Sequence, residues 1–146
     1  EAKNVVKAGK FSPVGERGMF PGRQSYGVSD YFLKANEETL LIVLIEDIIA
    51  IRNLDEILKV DHIDVFFVAP SDLASSMGYI GRHTEPKILD TIDKALKKIT
   101  AADRTAGTLV YDHNITHYRD LGVRFFAAPV QKWIADGIEN LVTKSE

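Results

Sequence analysis

Two acidic residues each follow an apolar run, at positions that suit the binding of a divalent cation. The run 40–45 ends directly at Glu46, and the run 63–69 is followed, after a Pro-Ser turn, by Asp72. Carboxylate oxygens are hard ligands of the kind that Mg²⁺ and Mn²⁺ prefer, and these ions usually keep several water or substrate oxygens as well. The two acids therefore indicate a metal site, provided that the fold brings them together.

The two apolar runs are the elements that must position these acids. Both are too short for a buried helix and rich in β-branched or aromatic residues, so we predict strands buried on two faces. A helical pattern at 47–58 lies between them, and such a crossover makes the strands parallel, with their carboxyl ends on one edge. Glu46 and Asp72 should then share a rim. An alternative stays open, namely that both acids only cap the helices that follow them.

The rest of the chain repeats the same alternation of strands and helices. Four successive strand-helix units, preceded by a helix and a loop, predict an α/β fold, which is either half of an eight-unit β/α barrel or a small open parallel sheet. The further elements that we predict are a helix at 30–36, a helix with Pro86 in its first turn, a strand at 107–111, a short helix ending before Gly122, a strand at 123–128 and a helix at 130–142.

Composition narrows the classes of partner. The 146 residues are enough for one domain. The net charge is −3 and lysine and arginine are dispersed, so we expect neither nucleic acid nor membrane as a partner. We find no apolar run of membrane-spanning length and no signal-peptide pattern. Without cysteine, disulfides and thiolate sites are excluded, and a cytoplasmic protein is the simplest expectation. The first residues, which lack Met, suggest a helix entered part-way and hence a cut chain.

Several motifs, in order along essentially the whole chain, resemble the HpcH/HpaI aldolase/citrate lyase family of metal-dependent (class II) 2-oxo acid aldolases. The chain is similar to the 4-hydroxy-2-oxoheptanedioate aldolase branch of that family. The resemblance is carried by Leu44-Ile45-Glu46, by Asn53-Leu54-Asp55-Glu56-Ile57, by the run from Ile63 through Ala69-Pro70-Ser71-Asp72 to Leu73, by Met77-Gly78-Tyr79-Ile80-Gly81 and by the stretch from Phe11 to Gly18.

This resemblance implies a fold and a reaction. The single domain, 1–146, would be the C-terminal part of a phosphoenolpyruvate/pyruvate-type β/α barrel, with its last four strand-helix units, a partial TIM barrel. Glu46 and Asp72 would bind a divalent cation, Mg²⁺ or Mn²⁺ with Co²⁺ as a further option. The implied reaction cleaves a 4-hydroxy-2-oxo acid to pyruvate and an aldehyde through a metal-stabilised enolate.

Further site residues follow from the resemblance and from their position near the rim. The backbone of Ala69 and Ser71 would bind the substrate carboxylate, although the family more often has glycine at the position of Ala69. His83 is a substrate-binding candidate, and Arg17, in the Gly-Pro loop 10–27, is a catalytic candidate. The alternatives, a solvated Arg17 and a structural His83, stay open.

The resemblance also implies partners and a limit on activity. In the family the last helix is exchanged between subunits, so we expect a homo-oligomer with this helix, including Trp133, at the interface. The family's histidine and arginine from the early strands are absent here, so we expect no turnover by this chain alone. Two other functions remain open: a citrate lyase β or malyl-CoA lyase type of enzyme, and a non-catalytic, self-associating half-barrel.

Overall fold

A four-stranded parallel sheet organises the protein. The computed structural model describes residues 1–145. Its strands are β1 (Ile42–Ile45), β2 (Val65–Val68), β3 (Ala106–Leu109) and β4 (Phe125–Ala127), and they pair in chain order. All three pairings are parallel, so every connection crosses back over the sheet and every strand ends at the same edge, which we call the carboxyl edge. The predicted parallel α/β fold is confirmed, with β1 and β4 as the edge strands.

Eight α-helices accompany the sheet in the described part of the chain. None of them is both long enough and apolar enough to cross a membrane. A short 3₁₀ turn, Arg23–Ser25, lies in the glycine-rich loop. The α-helices are α1 (Ala2–Gly9), α2 (Tyr31–Glu38), α3 (Ile48–Arg52), α4 (Leu54–Leu58), α5 (Pro70–Ser76), α6 (Pro86–Ala101), α7 (Ile115–Asp120) and α8 (Val130–Ser145).

The helix predicted at 47–58 is two helices, which is the main difference from the predicted elements. The chain leaves the helical path at Asn53, whose φ and ψ are −96° and 11°, and whose carbonyl then accepts the N–H groups of Glu56 and Ile57. Asparagine favours such junctions because its side chain competes with the helical backbone for hydrogen bonds. The break leaves Leu54 and Leu58, on α4, buried in the core.

The core lies between one face of the sheet and the helices that cover it. Phe66 and Val68 of β2 are fully buried, and so are four residues of the long helix α6, namely Ile88, Ile92, Leu96 and Ile99. Burial of these core side chains is the main source of stability. On the opposite face of the sheet, an added Cβ at Gly107 in β3 would lie 2.9 Å from side-chain atoms of both Val65 and Phe67.

One face of β1 is not covered. Val43 and Ile45 are buried, whereas Ile42 and Leu44 are 36% and 54% exposed. The prediction that this strand is buried on both faces is therefore wrong for this chain. The reason is that the helices pack against a single face of β1, so its alternate side chains point to the open face.

Arg104, just before β3, joins three segments of the core. Its guanidinium donates hydrogen bonds to the backbone carbonyls of Leu58, at 2.6 Å, and of Val60 and Ile63, both at 3.0 Å. The same group lies 4.8 Å above the centre of the Phe66 ring. One side chain thus satisfies the carbonyls at the end of α4 and in the turn that leads to β2.

Candidate metal and substrate site at the carboxyl edge

Glu46 and Asp72 both lie at the carboxyl edge, after neighbouring strands. Ile45 pairs with Val68 in the last rung of the β1–β2 ladder, so Glu46 stands just past the end of β1. Asp72 is in the first turn of α5, which begins two residues after β2 ends. The expectation that the two acids share one rim agrees with this topology.

A hydrogen bond ties together the two segments that carry these acids. The N–H of Ile48, at the start of α3, donates to Oγ of Ser76, at the end of α5, over 2.9 Å. Helix α5 is itself anchored, because Leu73 and Ala74 are fully buried. The two acidic side chains therefore project from a turn and a helix that are joined to each other, which limits how far they can move apart.

Helix capping is not the role of Glu46 in this structure. The cap of α3 is the next residue, Asp47, whose carboxylate accepts the N–H groups of Ile49 at 2.6 Å and Ala50 at 2.7 Å. In the described part of the chain, no side chain caps helix α5. The positive end of the α5 dipole stabilises the negative charge of Asp72. The carboxylate can still bind a cation on the side that faces away from the helix.

The donor chemistry of Glu46 and Asp72 fits a divalent cation. Within residues 1–145 neither carboxylate has a salt bridge or a hydrogen bond to a protein donor. Glu46 is half-buried and Asp72 is exposed. No group of three or more His, Cys, Asp or Glu suited to a metal occurs among the described residues, so this chain offers two carboxylates. Ions such as Mg²⁺ are commonly held by one or two carboxylates together with water and substrate oxygens.

Of the two backbone positions expected to bind substrate, one is already engaged. The N–H of Ala69 donates to the carbonyl of Ile45 over 3.2 Å and continues the parallel ladder. It therefore does not offer the free donor that we expected there. Ser71 differs, because it is exposed in the first turn of α5, where backbone N–H groups have no acceptor within the helix.

His83 lies at the same edge, in the loop between α5 and α6. It is half-buried and lines a cavity of about 750 Å³ that also reaches Pro70, the first residue of the helix that carries Asp72. The cavity extends from there past the end of β3 to the first turn of α8. The position of His83 is thus suitable for a substrate-binding residue, and its role stays a prediction.

Arg17 lies with residues that precede β1. Its guanidinium stacks on the ring of Phe11 at 4.9 Å, and its N–H donates to the carbonyl of Lys10. The Lys10 ammonium donates in turn to the carbonyls of Asn36 and Thr39, which lie just before β1. This chain therefore does not bring Arg17 together with the acids that follow the carboxyl ends of β1 and β2, and its catalytic role stays a prediction.

Sequence reasoning singled out His83 but missed other polar residues around this cavity, among them Asp93 and Asp112. Asp112 lies three residues past the end of β3, at the same edge of the sheet as Glu46, which is the signal that could have drawn attention to it. Its carboxylate lies 3.3 Å from Nε1 of Trp133. Asp93 is 2.9 Å from Nε2 of His117, and burial, followed by the charge of Asp93, raises the pKa of the Tyr118 hydroxyl. These contacts join α6 to α7 and the loop after β3 to α8, which no local pattern predicts.

Comparison with known proteins identifies the same family as the motifs did. The sequence model described as HpcH/HpaI aldolase/citrate lyase matches residues 1–142. The chain is 39% identical to the hydroxypyruvate/pyruvate aldolase of Roseovarius nubinhibens, over 89% of this chain and 52% of that protein. It is 33% identical to the 4-hydroxy-2-oxo-heptane-1,7-dioate aldolase of Shigella sonnei, over 89% of this chain and 52% of that protein.

A solved structure supports the fold. The HpcH/HpaI aldolase/citrate lyase family protein from Burkholderia cenocepacia superposes with a TM-score of 0.87 at 24% identity, over 99% of this chain and 60% of that chain. This likeness supports the predicted partial β/α barrel. The chain spans about half the length of the curated relatives that it matches. On the sequence match over nearly its whole length, the chain belongs to the HpcH/HpaI aldolase/citrate lyase family.

Proposed function

We propose that this chain is the metal-binding, C-terminal part of a barrel domain that acts in the cytoplasm as a 2-oxo acid aldolase. The reaction cleaves a 4-hydroxy-2-oxo acid to pyruvate and an aldehyde, with Mg²⁺ or Mn²⁺ as the cofactor. The observation that carries this proposal is the placement of Glu46 and Asp72 after the carboxyl ends of adjacent parallel strands, where neither carboxylate has a partner among residues 1–145. The names of the relatives as aldolases support it.

The residues of this chain have defined tasks in that reaction. Glu46 and Asp72 hold the cation and leave its remaining positions to water and to substrate oxygens. The cation, when bound, supplies a Lewis acid that stabilises negative charge on the 2-oxo group. Ser71 offers its free N–H to the substrate carboxylate, and His83 lies at the edge where the rest of the substrate extends. The proton-transfer groups come from outside this chain, so the chain alone does not turn over.

Metal binding tests this proposal directly. Mn²⁺ titration followed by electron paramagnetic resonance should show one saturable site in the wild-type chain. The isosteric variants Glu46→Gln and Asp72→Asn should each weaken it about tenfold or more, because each removes a charged ligand. Glu37→Gln serves as the matched control, since Glu37 is an exposed acid on α2 without a side-chain contact in the described part, and it should leave the affinity unchanged.

The outcome of the titration also separates the alternatives. A wild-type chain that is indifferent to Mn²⁺, or a site that survives both substitutions, would remove the physical basis of the aldolase proposal. Such a result would favour a non-catalytic half-barrel.

We also propose that α8 mediates assembly into a homo-oligomer. No residue of α8 is buried, and its apolar side chains recur on one face: Ile134, Ile138 and Leu141 are 55%, 58% and 71% exposed. Association of two copies through this apolar stripe is favourable, because it removes the apolar side chains from water. The proposed occupant of this stripe is therefore another copy of the chain.

Charge introduced into this stripe should separate the copies. The variant Ile138→Glu is expected to sediment as a monomer in analytical ultracentrifugation at concentrations where the wild type associates. The matched control is Asn140→Glu, which adds the same charge at an exposed polar position of α8 and should leave association intact. A wild-type chain that stays monomeric at all concentrations, or equal effects of the two variants, would contradict the proposed interface.

A further inference from the structure

A cavity that reaches Pro70, on the helix that carries Asp72, has the size of a small-molecule site. Its volume is about 750 Å³, which is within the usual range for ligand pockets. It is bounded by α6, the end of β3, α7 and the first turn of α8. The floor is apolar and includes the core residues Ile92 and Val110, and the wall above it continues this apolar surface with Leu109 and the partly exposed Leu89. A ligand that enters therefore replaces water against apolar surface.

Aromatic rings form part of the wall. Trp133 lines the cavity and is 48% exposed, and its indole N–H lies 3.3 and 3.4 Å from the two carboxylate oxygens of Asp112, an arrangement that orients the ring. The rings of Tyr111 and His113 stack on each other, with centroids 5.7 Å apart and planes 13° apart. Both also line the cavity. Flat π-faces of this kind favour a ligand that contains a ring.

The charges on the wall disfavour an anion. Two carboxylates, those of Asp93 and Asp112, line the cavity, and the single lysine there, Lys132, is held by both carboxylate oxygens of Asp136 at 2.8 and 2.9 Å. A bound anion would face these two carboxylates, of which that of Asp93 contacts His117 over 2.9 Å, and a lysine that is already engaged. Several polar side chains in the lining make no hydrogen bond in the described part of the chain and can contact a neutral head group, among them His83, Thr84 and His113.

We propose that this cavity binds a small uncharged molecule with an aromatic or branched aliphatic body. The identity of the ligand rests on the proposed aldolase function. If the chain acts in that reaction, the cavity holds the side chain of the aldehyde, and the preferred aldehyde is neutral and apolar. His83 and Thr84 line the cavity together with Pro70, the first residue of the helix that carries Asp72. Only the first turn of α8 lines the cavity, so the exposed stripe of α8 stays available for the proposed interface.

A pair of matched probes tests the selectivity of this cavity. Benzyl alcohol and benzoate carry the same ring and differ in charge. Trp133 is the only tryptophan of the chain, so selective excitation of tryptophan reports on this wall alone. Benzyl alcohol should change the Trp133 emission saturably, and benzoate should bind about tenfold more weakly because of the nearby carboxylates. No saturable change with benzyl alcohol, or equal affinity for benzoate, would overturn the proposal.

Substitutions in the wall locate the binding. Leu89→Asp, at a partly exposed wall position, should weaken benzyl alcohol binding about tenfold, because it brings a charge to apolar surface. Leu33→Asp, at an exposed leucine of α2 outside the cavity, is the matched control and should have no effect. Asp112→Asn keeps an acceptor for Trp133 but removes a charge, so it should improve benzoate binding. Equal effects of Leu89→Asp and Leu33→Asp on benzyl alcohol binding would contradict this site. So would the absence of a gain in benzoate binding for Asp112→Asn.

The assignment of the ligand as an aldehyde is tested separately from metal binding. In ligand-observed NMR, benzaldehyde should displace benzyl alcohol, whereas glyoxylate, an anionic aldehyde, should not. The measurement is made with a chelator present, because the cavity is formed without a metal. If the chain shows no saturable Mn²⁺ site while benzyl alcohol still binds, the aldolase proposal is wrong and the cavity remains a binding site. If benzaldehyde does not compete, the aldehyde assignment is wrong whether or not Mn²⁺ binds.

Discussion

Replacing Arg104 by methionine is expected to lower the free energy of unfolding by about 3 kcal/mol. The substitution keeps most of the apolar length of the side chain but removes the donors that reach the carbonyls of Leu58, Val60 and Ile63. Part of the cost is the loss of the guanidinium above the Phe66 ring. Urea unfolding followed by circular dichroism gives the value.

Two further variants distinguish the hydrogen bonds from the charge. Arg104→Lys keeps the charge but has no planar fork to reach several carbonyls, so we expect it to lose much of the same stability. Arg124→Met removes an exposed arginine that makes no side-chain hydrogen bond in the described residues, and it should change stability by less than about 0.5 kcal/mol. Equal losses for Arg104→Met and Arg124→Met would show that the three carbonyl contacts add nothing.

Replacing Phe66 by alanine is expected to lower the free energy of unfolding by about 3 to 5 kcal/mol. Phe66 is the largest of the fully buried side chains, and it lies in β2, between β1 and β3. Truncation leaves a cavity under α6 that the surrounding helices can fill only in part. It also removes the ring beneath the Arg104 guanidinium, so the same urea experiment should show a coupling between the two positions.

The control for Phe66 is an exposed phenylalanine. Phe20, in the glycine-rich loop, is 87% exposed, so Phe20→Ala should leave the unfolding midpoint almost unchanged. A double variant, Phe66→Ala with Arg104→Met, should cost less than the sum of the single variants, because the ring and the guanidinium share one contact. A loss below 1 kcal/mol for Phe66→Ala would mean that the core collapses around the gap, contrary to our expectation of about 3 kcal/mol or more.

Local patterns were sufficient to predict the element order. The apolar runs before Glu46 and before Asp72 form strands, the periodic stripe after Pro86 forms α6, and Gly122, with φ of 87°, follows α7 as a helix stop. These features depend on residues that are close in sequence, so side-chain type and spacing carry the information. The parallel pairing followed from the helices between the strands.

Contacts between distant residues could not be predicted in the same way. The engagement of the Ala69 N–H by Ile45 depends on the register of β1 against β2. The position of Arg17 depends on its stacking with Phe11. The aromatic cavity forms because Trp133 comes close to Asp112 across 21 positions of sequence. None of these contacts has a periodic signature in the sequence, so each can be identified only in the folded structure.

The two edge strands of the sheet have a consequence for how the chain meets other polypeptides. β1 and β4 each pair on one side only in the described part, and they run in the same direction. An exposed flank can accept an extended segment through backbone hydrogen bonds. In the proposed barrel domain both flanks would be taken by neighbouring strands, so a segment that adds to either of them would compete with closure of the ring.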